Sequence, residues 1–593
     1  MKFKFLLAAV NAKYIHSNPA IYSLRAYAGE ELQQYVDIAE YTINQSMQEI
    51  LADIYRRKPN VIGFSCYIWN WRLIQELLVE LPKILPHIVI WLGGPEVSYD
   101  ADVILKQYPW LAGIMTGEGE AAFRKLLMDY VVSHSEKMLQ NGEGAEPKGE
   151  ILESALTDMN ALPFLYDDLA HFENRIIYYE TSRGCPFRCS YCLSSIEKTV
   201  RFRDIDIVKK ELQFFLDHRV KQVKFVDRTF NCNHEHAMAI WQYIHEHDNG
   251  VTNFHFEISA DILRDDEIAL LHRFRPGLAQ LEIGVQSVNV QTLKAIKRVS
   301  NLEILEEKVA AVRRGNNIHQ HLDLIAGLPY EDYESFKISF EKVYHMHPEQ
   351  LQLGFLKVLK GSEMWERAEE YGIRYLKQPP YEVLSTKWLS YEDVLRLKEV
   401  EEMVELYYNS AQFTHTLPFL EKAFPNAFAM YEALAEFYRK EGYLAASPAR
   451  VRRYEIILAF AMERDESRAA VYRELLTYDM YLRENLKTRP QFARSLAEWK
   501  DAIRDFYQEE ERSRLYLPDY AGYDWKQLSK MTHLEPFTYP VWDVEQMVNG
   551  YEGRDSEEGQ GKAVDVDRFI LFDYQRRNPL NYEAAVSVVT RWV

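Results

Sequence analysis

The strongest constraint on this fold is an alternation of two hydrophobic periods that runs to about residue 385 and then stops. Over residues 1–131, short apolar runs such as "KFKFLLAAV", "NVIGFSCYI", "HIVIWLGGP" and "AGIMTGEGE" take turns with amphipathic stretches such as "SMQEILADIYRR" and "LIQELLVELPKIL". Strand and helix periods in turn predict an α/β domain with a parallel sheet, whose ligands sit beyond the carboxyl ends of the strands. Those ends read "SNP" (17–19), "FSCYIWN" (64–70), "GGPEVS" (93–98) and "TGEGE" (116–120), where small residues let backbone approach a flat ligand. The polar stretch "SHSEKMLQNGEGAEPKGE" reads as a linker, and a boundary falls near Pro163.

A second series then places strands at "RIIYYETS", "VKQVKFVDRTF", "NFHFEISAD", "AQLEIGVQS", "HQHLDLIAGLP" and "LQLGFLKVLKGS". Six β/α units predict a barrel or partial barrel with its chemistry on the C-terminal rim. From about residue 386 the period is helical, broken at Pro418, Pro425 and Pro448, and "DRFILFDYQRR-NPL-NYEAAVSVV" predicts two strands around an Asn-Pro turn. At 593 residues the chain exceeds one hydrophobic core, which predicts about three domains. The start "FKFLLAAV" is too short to span a membrane and no cleavage pattern follows it, so it reads as a first strand, the protein as cytoplasmic, with no membrane partner expected. A net charge of −19 without a long Lys/Arg run disfavours a broad electrostatic grip on nucleic acid.

Three of the five cysteines lie in "ETSRGCPFRCSYCLSS" (180–195), spaced C-x3-C-x2-C. In so long a chain this points to a reducing compartment and a metal or catalytic role, not a disulfide framework. A structural zinc site wants four ligands, and the fourth would have to be Cys232 or His234. A three-thiolate iron–sulfur cluster instead leaves one iron open to an exogenous ligand. Cys232 and Cys66, each alone, read as small buried hydrophobes.

"CPFRCSYC" resembles the C-x3-C-x-aromatic-C motif of radical S-adenosylmethionine (SAM) enzymes, with Tyr191 as the aromatic, and the resemblance extends over residues 170–370. It implies a [4Fe–4S] cluster held by Cys185, Cys189 and Cys192, whose open iron binds the amino and carboxylate groups of SAM and whose electron splits SAM to a 5′-deoxyadenosyl radical. "FVDRTFN" resembles the second-strand segment near the SAM amino group, which makes Asp227, Thr229 and Asn231 candidates. "FHFEISAD" offers Glu257 as the third-strand carboxylate, "GVQSVN" offers Gln286 and Ser287, "DLIAGLP" sets Gly327 against the adenine, and "FLKVLKGS" resembles the sixth-strand edge that reads adenine through backbone.

The N-terminal domain, with "GGP" followed by "GEGE", resembles the cobalamin-binding domain of cobalamin-dependent radical SAM enzymes, which implies corrin contacts at Ser65, Gly93, Gly94, Gly117 and Gly119. The histidine motif D-x-H-x-x-G is absent from residues 1–160, where only His16, His87 and His134 occur, so the lower cobalt face is expected to be open or met by another group, and His16 reads as a loop histidine. The resemblance divides the chain into a doubly wound, Rossmann-like cobalamin-binding domain (1–135), a linker (136–168), a partial (β/α)6 TIM-type radical SAM barrel (169–385) and a mostly helical C-terminal domain with a small β element (386–593). That last domain resembles one appended to a subset of these proteins. Its cluster Arg450, Arg452 and Arg453 reads as a solvated helix face paired with acids, against the alternative of a phosphate or carboxylate site.

The implied activity is methyl transfer to an unactivated carbon, with one SAM methylating cob(I)alamin and a second generating the radical that removes a substrate hydrogen. A non-methylating rearrangement, cyclisation or oxidation is the alternative within the class, and a non-catalytic metal-binding sensor the alternative outside it. Glu257, Gln286 and Gly327 at successive strand ends argue against the sensor. A low-potential donor such as a flavodoxin or ferredoxin is the expected partner. No motif names the substrate, small or macromolecular, and no catalytic side chain is assigned.

Overall fold

A computed structural model describes residues 3–140, 149–551 and 568–590. The apolar run "FLLAAVN" is buried at every position and forms β1 (Phe5–Asn11), the strand against which the N-terminal sheet is laid. β2 (Val36–Thr42), β3 (Val61–Ser65), β4 (Val89–Gly93), β5 (Gly113–Thr116) and β6 (Glu150–Glu153) follow, all parallel, in the order β2-β1-β3-β4-β5-β6. Successive side chains of a strand face opposite ways. Leu6, Ala8 and Val10 accordingly join one core with Ile74, Leu77, Leu78 and Leu81 of the helix Trp71–Ile84, while Phe5, Leu7 and Ala9 join another with Phe123 and Leu127 of the helix Gly119–Gln140. The sheet is thus covered on both faces. Strand order reverses between β1 and β3, and there Asn18 Nδ2 donates to Ser65 Oγ at 3.2 Å.

β6 lies inside the stretch expected as a linker. Its positions are mostly exposed and two of its four residues are glutamates, so an edge strand hid behind a polar composition, with Leu152 packed on the core. Residues 141–148 of that stretch lie outside the described residues.

The second series begins with β7 (Ile177–Tyr179), then a two-residue antiparallel pair, β8 (Ser182–Arg183) and β9 (Arg201–Phe202), that brackets the cysteine loop. β10 (Gln222–Phe225), β11 (Asn253–Ile258) and β12 (Ala279–Gln286) continue a parallel sheet ordered β7-β10-β11-β12. Phe230 and Phe256 meet Trp241 of the helix His234–Glu246 and Phe225 packs on both phenylalanines, so helices cover this face and His255 and Glu257 point to the opposite, inner one. β13 (His319–Ala326) and β14 (Gln350–Phe355) complete the six β/α units, followed by the antiparallel β15 (Arg374–Tyr375) and β16 (Val383–Ser385).

Two compact units result. One comprises Met1–Ile318, Ile325–Asp332 and Gly354–Tyr391; the other comprises His319–Leu324, Tyr333–Leu353 and Glu392–Val593. The second is mainly helical, with Ala427–Lys440, Arg450–Arg464, Ala469–Arg483 and Lys500–Ser513 among its helices. It also holds an antiparallel sheet β17-β18-β19 formed by Thr532–Phe537, Arg568–Arg577 and Ala584–Val589, one strand more than the predicted pair. Arg450 pairs with Glu484 and Arg452 with Glu455, the acid-paired helix face that the sequence favoured. No described helix is long and apolar enough to cross a membrane.

Candidate functional site

The cysteine loop leaves the first unit's barrel at β7, and its neck is anchored from below. Asp227, buried after β10, accepts hydrogen bonds from the Thr181 N–H (3.0 Å), Thr181 Oγ1 (2.6 Å) and Ser182 Oγ (2.6 Å). Burial pushes its carboxyl above the ordinary range despite these donors. His236 Nε2 lies 3.1 Å from Thr181 Oγ1, and burial pushes that imidazole down to about 4. Asp227, proposed from the sequence near SAM, therefore spends both oxygens on the neck of the loop. Asn231 likewise braces neighbouring strand ends, exchanging two bonds with the Ser259 backbone.

Cys185, Cys189 and Cys192 are free thiols, the second buried and the others half-buried. The loop is pinned by the Ser190 N–H to Ile296 O (2.9 Å) and the Met364 N–H to Ser190 O (2.8 Å), and Tyr191 packs with Leu293, Ile296 and Met364. Thr229 Oγ1 stands 3.7 Å from Cys185 Sγ and Arg298 Nη1 3.8 Å from Cys189 Sγ. Burial raises the Cys189 thiol, and the Arg298 charge opposes it. Cys66 is fully buried, as expected; Cys232 is only half-buried, and burial and the neighbouring Cys185 push its thiol up to about 11.

At the end of β12, Gln286 adopts φ 72° and is buried with its Oε1 lacking any partner among the described residues. Ser287 turns away, donating to Glu331 Oε1 at 2.6 Å, and Gly327 (φ 87°) packs against Val383. Glu257 is half-buried on the inner face, opposite Glu282 in register. Glu282 pairs with Lys224 (3.0 Å) and His255 (2.9 Å), which against burial hold its carboxyl down to about 2. Two residues escaped sequence reasoning. Arg298 sits in "AIKRVS", just past the short helix Val290–Ala295 that follows β12, and its basic side chain was the available signal. Gly284 was visible as a glycine inside a strand: a Cβ there would lie 2.2 Å from Gln286 Nε2.

Beyond the strand ends of the N-terminal sheet lies a cavity of about 850 Å³, within the range of small-molecule sites. Ser65, Gly93, Gly94, Gly117 and Gly119 all line it, together with Tyr178, Glu180 and Arg183 from the barrel. Gly94 (φ 108°) is required by packing, since its Cβ would fall 2.5 Å from Cys66 O. Thr116 Oγ1 and Ser154 Oγ are buried at this wall without a partner among the described residues. Tyr67, stacked on Trp69 with centroids 4.3 Å apart, also faces the cavity, and no histidine is among the described residues lining it. His16 instead shares a 2.6 Å hydrogen bond between Nδ1 and Tyr178 Oη.

Residues 6–127 match the B12 binding domain family, residues 179–343 the radical SAM superfamily, and residues 369–554 a family described as a protein of unknown function (DUF4080). The cobalamin-dependent radical SAM methyltransferase TokK of Streptomyces tokunonensis is 24% identical over 359 residues, 55% of this chain and 51% of TokK. The anaerobic magnesium-protoporphyrin IX monomethyl ester cyclase of Rubrivivax gelatinosus is 23% identical over 324 residues, 52% of this chain and 58% of the cyclase. The solved radical SAM methyltransferase TsrM from Kitasatospora setae, with cobalamin and a [4Fe–4S] cluster bound, aligns at a TM-score of 0.50 and 15% identity over 66% of this chain and 82% of TsrM, a likeness of fold. The chain thus joins a B12 binding domain to a radical SAM domain, and it is similar to a cobalamin-dependent radical SAM methyltransferase. It spans about half the length of the first curated relatives it matches.

The cofactors of this radical SAM protein are a [4Fe–4S] cluster, SAM and cobalamin. Its residues fit them. Three free thiols with a guanidinium beside them are a donor set for a cluster, and the orphaned Gln286 Oε1 offers an acceptor to SAM. The orphaned Thr116 and Ser154 hydroxyls suit the polar periphery of a corrin.

Proposed function

We propose that the chain catalyses a radical SAM reaction supported by cobalamin, and that the reaction is methyl transfer to an unactivated carbon. The observation that carries this reading is that one cavity is lined by both the N-terminal strand ends and Arg183 at the neck of the cysteine loop, which would bring a corrin there close to the base of that loop. When bound, the cofactors supply reductive cleavage of SAM to a hydrogen-abstracting radical and a methyl group carried on cobalt.

The protein's own residues then do four things. Cys185, Cys189 and Cys192 would hold the cluster, leaving one iron for SAM. Arg298, half-buried, would offset the negative charge of the thiolates, and Gln286 would orient SAM through its unpaired Oε1. Thr116 and Ser154, whose hydroxyls lack a partner among the described residues, would hold the corrin edge by hydrogen bonds. The apolar walls of the cavity, among them Leu7, Ile21 and Phe64, keep water away from the radical.

Cytosolic flavodoxin or ferredoxin would supply the electron. The test is anaerobic reconstitution followed by reduction with SAM present: 5′-deoxyadenosine and S-adenosylhomocysteine should both form, and lysates containing the protein should hold a metabolite heavier by one methylene. The likeness to the cyclase favours a second reading, oxidative ring closure. It would give 5′-deoxyadenosine without S-adenosylhomocysteine, and a product lighter by hydrogen.

A further inference from the structure

The ion pairs between the N-terminal domain and the barrel, among the described residues, run one way: acids from the former, bases from the latter. Glu40 meets Arg175, Glu96 and Asp100 meet Lys360, and Glu118 and Glu120 meet Arg183. One-way complementarity fixes register between two surfaces.

Within this set Glu118 is singular. Gly117 and Gly119, its two neighbours, line the corrin cavity, as it does itself. Its carboxylate faces Arg183 Nη1 at 3.2 Å and accepts from both Nη1 (3.3 Å) and Nη2 of Arg201, and from the Thr157 N–H at 2.6 Å. Arg183 and Arg201 are directly opposite partners in the β8–β9 pair, the two-residue neck that closes the cysteine loop. Like charges directly opposite repel, so the neck needs an anion between them. Glu118 supplies it from the other domain, and among the described residues no other carboxylate ion-pairs with both guanidiniums. The site is largely shielded: the three side chains are 16–19% exposed. Against burial, the Arg201 and Thr157 hydrogen bonds and the two guanidinium charges hold Glu118 below the usual carboxylate range, so it stays an anion.

We propose that Glu118 is a positioning residue: gripped by Arg183 and Arg201, it holds the neck of the cysteine loop at a set place relative to the corrin cavity, so that what the thiols bind faces what the cavity binds. This rests on the reading above, that the thiols hold the cluster and the cavity holds cobalamin. A shift of about 1 Å between reacting groups can cost on the order of 100-fold in rate even when its cause is remote, which is why such a clamp matters.

The experiment uses the full chain with iron, sulfide and cobalamin loaded anaerobically, comparing wild type, Glu118→Gln and Arg201→Lys. Lysine keeps the charge but loses the two-pronged grip. Four quantities are read: bound iron and cobalamin, amide exchange in residues 184–200, the dipolar distance distribution between cob(II)alamin and the reduced cluster, and S-adenosylhomocysteine formed per 5′-deoxyadenosine. Glu118→Gln should keep both cofactors, exchange the loop amides about tenfold faster, broaden the distance distribution and lower the product ratio by about 100-fold. Arg201→Lys should move each the same way by less, and carries the test if Glu118→Gln does not fold. Retained cofactors with an unchanged distribution and unchanged loop exchange would overturn the proposal. If the wild type fails to bind a cofactor, the functional reading fails instead, while loop exchange in the apo chain still reports whether Glu118 grips the neck.

Discussion

The two cofactor sites proposed for the first unit are built from different materials. The proposed cluster site is made of side chains: three thiols, Arg298 beside Cys189, and Gln286 folded over a strand at Gly284. The proposed corrin site is made largely of backbone, with Gly93, Gly94, Gly117 and Gly119 at its wall and two orphaned hydroxyls as polar groups free to meet a ligand. A site of side chains fails when one atom is removed. A site of backbone fails by degrees, because close approach and small hydrogen bonds share the work.

That contrast sets the size of what mutation should do. Replacing Cys185, Cys189 and Cys192 together with Ala should abolish cluster absorption and SAM cleavage while cobalamin is retained, read by absorbance and product analysis; persistence of the cluster would remove these residues as its ligands. On the corrin side, Thr116→Val with Ser154→Ala should weaken cobalamin binding by about 30-fold, two hydrogen bonds at about 1 kcal/mol each. The same pair should raise the stability of the apo chain, since two unsatisfied buried hydroxyls are gone. Opposite signs in an affinity titration and a denaturant melt separate this from general damage. A side chain at Gly94 would damage the fold and not only the cavity, because the positive φ of 108° and the Cys66 carbonyl leave no room for one.

The neck of the cysteine loop differs again, because it rests on buried titratable groups. His236 has a folded-state pKa of about 4, below its ordinary 6.5, so the native state binds fewer protons than the unfolded one between those values. The stability contributed is full above pH 6.5 and is lost as pH falls to 4. Full realisation would be about 3 kcal/mol; with relaxation on protonation, about 1–2 kcal/mol is expected. Denaturant midpoints across this window should flatten in His236→Gln, and an unchanged slope would show that Thr181 does not depend on a neutral imidazole. The smallest effect belongs to Arg298→Gln. Losing a cation beside Cys189 should shift the cluster potential negative by on the order of tens of millivolts in a redox titration, with cluster content unchanged.

Legibility in the sequence followed the same division. The alternation of periods foretold the β/α units because the two faces of β1 must each meet a helix stripe, and the cysteine spacing stood out because thiols are rare in this chain. The acidic edge strand β6 was read as linker, since half its residues are glutamates and only Leu152 packs inward. Asp227 matched a strand-end position, yet its role at the neck depends on Thr181 and Ser182, 46 and 45 residues away, which no local pattern encodes. Glu118 was visible only as part of "GEGE"; its meaning comes from two arginines brought face to face by β8 and β9.

The most direct test of the central claim is elemental analysis of the full chain, loaded anaerobically with iron, sulfide and cobalamin in the presence of competing zinc, then passed over a sizing column. The account predicts that iron and cobalt elute together with the protein at about four irons to one cobalt, with zinc absent from the peak. Zinc in place of iron, or protein eluting without cobalt, would contradict it.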